Sequence, residues 1–371
     1  MYPFRKAMEA PIGSPFSPGA IRLLCLEIAL QLGGVISAQT LPPRLRQTLT
    51  SHLTASDENL RMLEGGGIVS YAIDTNSPDK MKLVGMVRVW ATPEAFVKRY
   101  RNIEMFESAP GISASRKFSI APKESDLNQM ALSAAAAAEL KDCKPGSCAF
   151  KLDDAGVKRI GEKVAWGAPE EAAQASAVIR SLWLQNLKRY QAMGNAGLPV
   201  YHDSPEYFSV EQGLNDLLAD SGPLKEYAPQ LGEYLRKYPH SRNRSIDNFF
   251  YWQAGTFGLK PVDRVSHVAI QRTSSPFGDT YVIAAKMLFA SHYFRSGLEF
   301  RYLIPGQDQR TGGMHYLILV QSSHVDGMDG WQGRLLRPIV LKKSLDAMER
   351  YLEAVKEKIE REFNGRRATN Q

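Results

Sequence analysis

The stretch KMLFASHYFRSGLEFRYLIP, residues 286–305, sets a histidine, two arginines and a glutamate in a mainly apolar and aromatic run. A second segment, SSHVDGMDGWQGRLLR (322–337), adds His324, Asp326, Asp329 and Trp331 among glycines. These residue types suit two chemistries. Arg295 and the histidines can hold the polar head of a small molecule through charged hydrogen bonds. A His–Asp pair, His324 or His292 with Asp326, can do general acid–base work. The structural alternative stands beside both: Arg295 pairs with Asp326 or Asp329, and His292 and Tyr293 only pack. Nothing marks a nucleophile, since no G-x-S-x-G elbow is present. His267, His292, His315 and His324 fall on separate segments without HxxxH or HExxH spacing, so no metal site is expected. No phosphate loop or dinucleotide fingerprint stands at a strand–helix junction, and no cofactor is expected.

These side chains need a scaffold. Read as one strand, Tyr281–Pro305 would run about 80 Å at about 3.3 Å per residue, too long for a single strand. A break is expected within SHYFRSG (291–297), with Ser296 and Gly297 suited to a turn or bulge. Beyond it, Leu298, Phe300, Tyr302 and Ile304 share one face while Glu299 and Arg301 share the other. If the apolar face lines a cavity, Glu299 and Arg301 lie outside it, against the helical region in the middle of the chain. His292, Tyr293, Arg295, His324, Asp326 and Trp331 are then the ligand-binding residues expected at the rim, on two neighbouring loops.

The rest of the chain reads as follows. Residues 41–64 are helical and stop at GGG (65–67); 68–75 and 81–91 are strands. Thr92, Pro93 and Glu94 start a helix over 92–111, and 112–120 returns to strand. From Asn128 to Tyr238 the pattern is predominantly helical. It includes a long amphipathic segment (169–194), a Ser-x-x-Gln capping box at 209–212, and a helix over 223–239 interrupted near Pro229. The aromatic residues Trp183, Tyr190, Tyr227, Tyr234 and Tyr238 build either a helical core or a docking surface. Four strands follow from Val262, close enough in sequence to form an antiparallel meander. Residues 344–363 form a C-terminal amphipathic helix, with Leu345, Met348, Leu352, Val355 and Ile359 on one stripe.

Composition narrows the partners. A net charge of +7 invites a nucleic-acid reading, but bases and acids are interleaved along the chain, so no nucleic acid is expected. Arg5, Lys6 and Arg22 precede a mostly apolar run, Leu23–Ala38, that ends in the small pair Ser37–Ala38. This is the layout of a signal peptide cleaved near Ala38, although Glu27 and Gln31 interrupt it; the alternative is a retained amphipathic helix. The run is too short for a transmembrane span. Cleavage would remove Cys25 and leave Cys143 and Cys148, which flank KPGS. Pro145 and Gly146 suit a type II turn that brings the cysteines within disulfide range. A periplasmic or secreted location is therefore expected.

The order strand, capped helix, strand, helical region, meander and C-terminal helix resembles the START-like (SRPBCC, Bet v 1-like) helix-grip superfamily. VRVWATPEAFVKRYRNIEMFESAPGISASRKFS is similar to its opening strand, short helices and second strand. The meander from 262 to 322 and the helix from 344 to 363 are similar to its remaining parts. CKPGSC and SHYF are similar to segments of uncharacterised exported bacterial members. The resemblance covers a little under half the chain and carries no catalytic motif. It implies an α+β fold: a curved antiparallel sheet gripping a long C-terminal helix around an apolar cavity, here with a large helical insertion. The expected division is a signal peptide at 1–38, a helical extension at 39–67, the first part of the START-like domain at 68–127, the insertion at 128–250, the second part at 251–365, and a tail at 366–371. The function implied is non-catalytic binding or transfer of a lipid or other hydrophobic small molecule, with transient membrane contact among the partners. Gly327, Gly330 and Gly333 are the expected hinges. The alternatives are a cyclase or hydrolase using a His–Asp pair in the same cavity, and an interaction protein docking through its helical insertion.

Overall fold

A computed structural model describes residues 41–107, 111–241, 243, 245–256, 260–275, 278–306, 313–328 and 330–369. The expected leader with its cleavage site near Ala38 lies outside them, as does Asp329.

The first helical stretch is two helices, α1 (Pro43–Leu53) and α2 (Asp57–Glu64), because Ser56 caps the second. Its hydroxyl accepts from Asn59 N, and Asn59 Oδ1 accepts from Ser56 N, a reciprocal capping box. Strands β1 (Val69–Ile73) and β2 (Lys80–Val89) follow. Thr92 caps α3 (Pro93–Tyr100), with Pro93 opening the helix as its sequence requires. A one-turn helix, α4 (Ile103–Phe106), leads toward β3 (Ile112–Lys117). The helical region then contributes α5 (Ala134–Lys141), α6 (Asp154–Lys163) and α7 (Glu171–Met193). A two-stranded ribbon, β4 (Val200–Tyr201) and β5 (Phe208–Ser209), precedes α8 (Val210–Ala219), α9 (Gly222–Tyr227) and α10 (Pro229–Lys237). Pro229 separates the last two. Strands β6 (Ile246–Thr256), β7 (Pro261–Ser275), β8 (Gly278–Ala290), β9 (Phe294–Pro305) and β10 (His315–Val325) lead to α11 (Gly330–Thr369).

The architecture is mixed α+β. Eight antiparallel strands form one sheet in the order β1-β2-β10-β9-β8-β7-β6-β3. Helices cover both faces. On one, α11 contributes Met348, Leu352, Val355 and Ile359, while α3 and α4 contribute Phe96, Tyr100, Ile103 and Phe106. These pack on Leu83, Val87, Ile283, Leu303, Leu317 and Leu319 of the sheet. On the other face, α1, α2 and α8–α10 lie over Val84, Met86, Phe300, Tyr302, Ile318 and Val320. Tyr227 and Tyr234 are buried in this second layer, and Trp183 and Tyr190 in a third cluster with Phe250, Trp252 and Leu288, so all four build core rather than a docking surface. The helical region belongs to the same compact unit as the sheet, Thr40–Gln371. Among the described residues no helix is long and apolar enough to cross a membrane.

Four expectations change. Strand β6 starts at Ile246, inside the stretch read as insertion; its run of buried residues on both faces hides the alternation that announces a strand. Helix α11 starts at Gly330 and not 344, so the loop expected over 322–337 shrinks to the turn after Val325. Gly333 is a close-packing position within the helix and not a hinge: a Cβ there would lie 2.2 Å from the Met328 carbonyl carbon. Lastly, the strand faces are inverted relative to the expected cavity. Leu298, Phe300, Tyr302 and Ile304 meet the N-terminal helices and α8–α10, whereas Glu299 and Arg301 point under α11. Alternating polarity cannot say which face is outside when both are covered.

Candidate functional site

The expected break falls at Ser291–Tyr293. Tyr293 adopts φ +58°, the left-handed region that a bulky side chain rarely occupies. Three hydrogen bonds hold the turn: Phe294 N donates to His292 O at 2.6 Å, Asp326 N donates to Tyr293 O at 2.8 Å, and Lys260 N donates to the Tyr293 hydroxyl at 2.8 Å. Ser296 and Gly297 lie within β9 rather than in the turn. Strand β10 ends beside it, with Val325 opposite Phe294, and Gly327 turns at φ +68° toward α11. The two loops expected to meet are therefore neighbours at one end of the sheet.

Between them and the helical region lies an open cavity of about 560 Å³, lined among others by Lys151, Asp203, Lys260, His292, Tyr293, Arg295 and Asp326. Its charges alternate. Lys151 is ion-paired with both Asp203 and Asp326. Arg295 Nε lies 3.1 Å from Asp326 Oδ1, and Arg295 Nη2 donates to Asp79 Oδ2 at 2.8 Å. His324 Nδ1 is 2.9 Å from the same Asp79 oxygen, and its Nε2 is 3.2 Å from Asp216 Oδ2. The hydrogen bond from His324, with further help from Ser77 and Arg295, outweighs burial and holds Asp79 well below the usual carboxylate range. Burial lowers Lys151 despite Asp203 beside it. The Arg295 guanidinium also stacks over the Phe208 ring, 4.8 Å from its centroid.

On the other wall, His292 Nε2 is 3.2 Å from Glu139 Oε2, and Glu139 also accepts from Lys260 Nζ at 2.6 Å. Burial depresses His292, although Glu139 opposes it. His292 Nδ1 lies 3.0 Å from Ser291 Oγ, a Ser–His–Glu sequence of contacts. The Ser291 hydroxyl, however, is buried and accepts from Asp263 N at 2.9 Å, so it is turned into the protein rather than toward the cavity.

Four of the six expected ligand-binding residues, His292, Tyr293, Arg295 and Asp326, line this one cavity. His324 sits behind them, reached through Asp79. Trp331 stands away, exposed on the first turn of α11. The expected His–Asp pair with Asp326 does not form: His292 takes Glu139, His324 takes Asp79 and Asp216, and Asp326 is held between Lys151 and Arg295. Sequence reading missed Asp79, Glu139, Lys151 and Asp203, isolated charges whose convergence is set by the tertiary fold.

The disulfide joins Cys143 to Cys148 around the turn expected, with Gly146 at φ +79° and Ser147 N donating to Lys144 O at 2.9 Å. Gly146 N and Cys148 N then donate to the carbonyls of His202 and Asp203, so the closed loop fixes the segment that carries Asp203.

Deeper, under α11, a second polar cluster interrupts the apolar layer. The buried Arg301 donates from Nη2 to the Tyr351 hydroxyl at 2.7 Å and from Nη1 to the Tyr100 hydroxyl at 3.2 Å, and ion-pairs with Glu299 and Glu107. Gln321 donates to Glu299, and Gln253 links Glu107 to Arg264. Burial alone would lower Arg301, but Tyr100, Tyr351 and Glu107 reverse this and keep it charged, while burial raises both phenols and keeps them protonated. Arg301 Nε has no hydrogen-bond partner among the described residues. Tyr293 and Phe294, at the cavity, pack against the same layer.

No family model matches the chain, and no curated protein matches it. Among solved structures, the crystal structure of a STAR-related lipid transfer protein (fragment 25–204) from Xanthomonas axonopodis is similar with a TM-score of 0.33 and 9% identity, over 79% of this chain and 93% of that one.

Proposed function

We propose that the protein binds an amphiphilic small molecule, a lipid or similar hydrophobic compound with a polar head, without changing it chemically. The head would sit in the cavity lined by Lys151, His292, Tyr293, Arg295 and Asp326. The apolar part would pass Tyr293 and Phe294 into the layer beneath α11, where Arg301 offers a further polar contact. The observation that carries this reading is the junction itself: a charged cavity of about 560 Å³ whose inner wall, Tyr293, also packs against an apolar layer closed by α11 with α3 and α4. That volume lies within the range of small-molecule sites, roughly 300–1,000 Å³. Burying about 300 Å² of apolar ligand surface would contribute roughly 7 kcal/mol before association costs. The inward-turned Ser291 favours binding over acyl transfer. We extend the reading to export into the periplasm or outside, supported by the Cys143–Cys148 bond.

Native mass spectrometry of the chain purified without detergent tests it. The expected result is an added mass that disappears on denaturation, and that Tyr293→Asp reduces while the protein stays folded. A clean apo mass, unchanged after incubation with a lipid extract, would overturn the proposal.

A further inference from the structure

Helix α11 turns apolar side chains outward along its first turns. Trp331, Leu335 and Ile339, spaced four residues apart, are 65%, 67% and 54% exposed, and Leu336 beside them is exposed as well. Their stripe lies opposite the one carrying Met348, Leu352 and Val355, which faces the sheet. Single exposed apolar residues need no explanation, but four within three turns form a patch.

Charge is uneven along the same helix. Between Gly330 and Lys343 the chain carries Arg334, Arg337, Lys342 and Lys343 and no acid, whereas residues 344–363 mix six acids with Arg350, Lys356, Lys358 and Arg361. Arg337 is committed inward, donating to the carbonyls of Pro78 and Lys80. Arg334, Lys342 and Lys343 are exposed with the apolar patch. An aromatic and aliphatic stripe flanked by basic residues is the pattern that lies in the plane of a bilayer interface and selects anionic lipid. The complementary charge decides against a second copy of this segment, whose bases would repel.

We propose that residues 331–343 of α11 dock the protein on an anionic lipid surface, with Trp331, Leu335 and Ile339 entering the interface and Lys342 and Lys343 meeting headgroups. The patch begins four residues after Gly327, which lines the cavity, so docking would bring the cavity mouth toward the membrane. The inference stands on the exposed helix face alone and does not require the proposed ligand.

Co-flotation of the full chain with vesicles of phosphatidylcholine, with and without phosphatidylglycerol, tests it. The protein is expected to float with phosphatidylglycerol vesicles and to shift the Trp emission to the blue, a shift removed by Trp331→Phe. Lys342→Gln with Lys343→Gln should weaken partitioning about thirtyfold, from roughly 1 kcal/mol per basic residue. Leu335→Ser with Ile339→Ser should abolish it while leaving the circular dichroism spectrum and any mass retained in native spectrometry unchanged. Flotation that all these variants preserve would assign membrane contact to residues outside α11 and overturn the proposal. So would an absence of flotation, including the case in which the chain dimerises and Leu335→Ser with Ile339→Ser restores the monomer.

Discussion

Arg301 and His315 are buried for different reasons and should respond to different experiments. The Arg301 guanidinium is compensated by Glu299, Glu107 and two phenols, so removing it strands two carboxylates in an apolar layer. Arg301→Met is therefore expected to destabilise by about 3–5 kcal/mol in urea denaturation, and adding Glu299→Gln should recover part of the loss. An equal or larger loss in the double variant would contradict the compensation. His315 is buried neutral, donating from Nδ1 to Ala91 O at 2.8 Å with its ring edge-on to Phe96, and burial pushes it down to about 4. A histidine lowered in the folded state is protonated first in the unfolded chain. Its contribution is thus present above about pH 6.5 and lost as pH falls toward 4, on the order of 3 kcal/mol. Asp263, raised to about 6 by burial, acts in the opposite direction over much of this window. The comparison with His315→Asn cancels that term, because the amide keeps a donor for Ala91 but does not titrate. The stability advantage of wild type over the variant should shrink between pH 6.5 and 4; a constant difference in chemical denaturation would remove His315 as the titrating group.

At the scale of elements, the first turn of α11 sets an unusual sign. Gly→Ala inside a helix normally stabilises by about 1 kcal/mol, but at Gly333 the new Cβ would meet the Met328 backbone at 2.2 Å. Gly333→Ala is expected to destabilise by about 1–3 kcal/mol through overpacking and to raise hydrogen exchange over 330–336; unchanged or slower exchange there would refute the close contact. The same turn shows where sequence reading ends. Helices and strands with local signals were legible: the Thr92–Pro93 start, the Ser209 cap, the break at Pro229, the Gly146 turn and the meander. Residues 330–337 read as loop because Gly330 and Gly333 suggest punctuation and because their apolar side chains face outward, against the one-sided pattern of a buried helix. Strand β6 was hidden by burial on both faces. For the cavity, the two loops that meet were legible from the break after Ala290 and the glycines after Val325. The partners they meet were not. Lys151 and Asp203 come from the helical region and Asp79 from the turn before β2, and no local spacing records those long-range encounters.

The compact unit Thr40–Gln371 is built on one large sheet with an apolar layer on each side, and the two layers are not equivalent. The layer under α1, α2 and α8–α10 is closed by several short helices joined through the chain, whereas the layer under α11 is closed chiefly by one helix with α3 and α4. The polar cluster at Arg301 and the cavity wall at Tyr293 both adjoin the second layer, so that is the layer an amphiphile would enter and α11 is the element that would move. Leu352, fully buried on α11 against the sheet, separates these roles. Leu352→Asp places a carboxylate among apolar side chains of that layer and should cost about 3–5 kcal/mol, because burying a charge there adds to the loss of a leucine's packing. If the layers differ as described, hydrogen exchange should rise first in α11 and α3, with α1 and α10 retaining protection, and any ligand mass should disappear before global unfolding. Exchange rising uniformly across both layers would show that the sheet and its helices open only as a single cooperative unit. Binding would then have to be confined to the cavity outside α11.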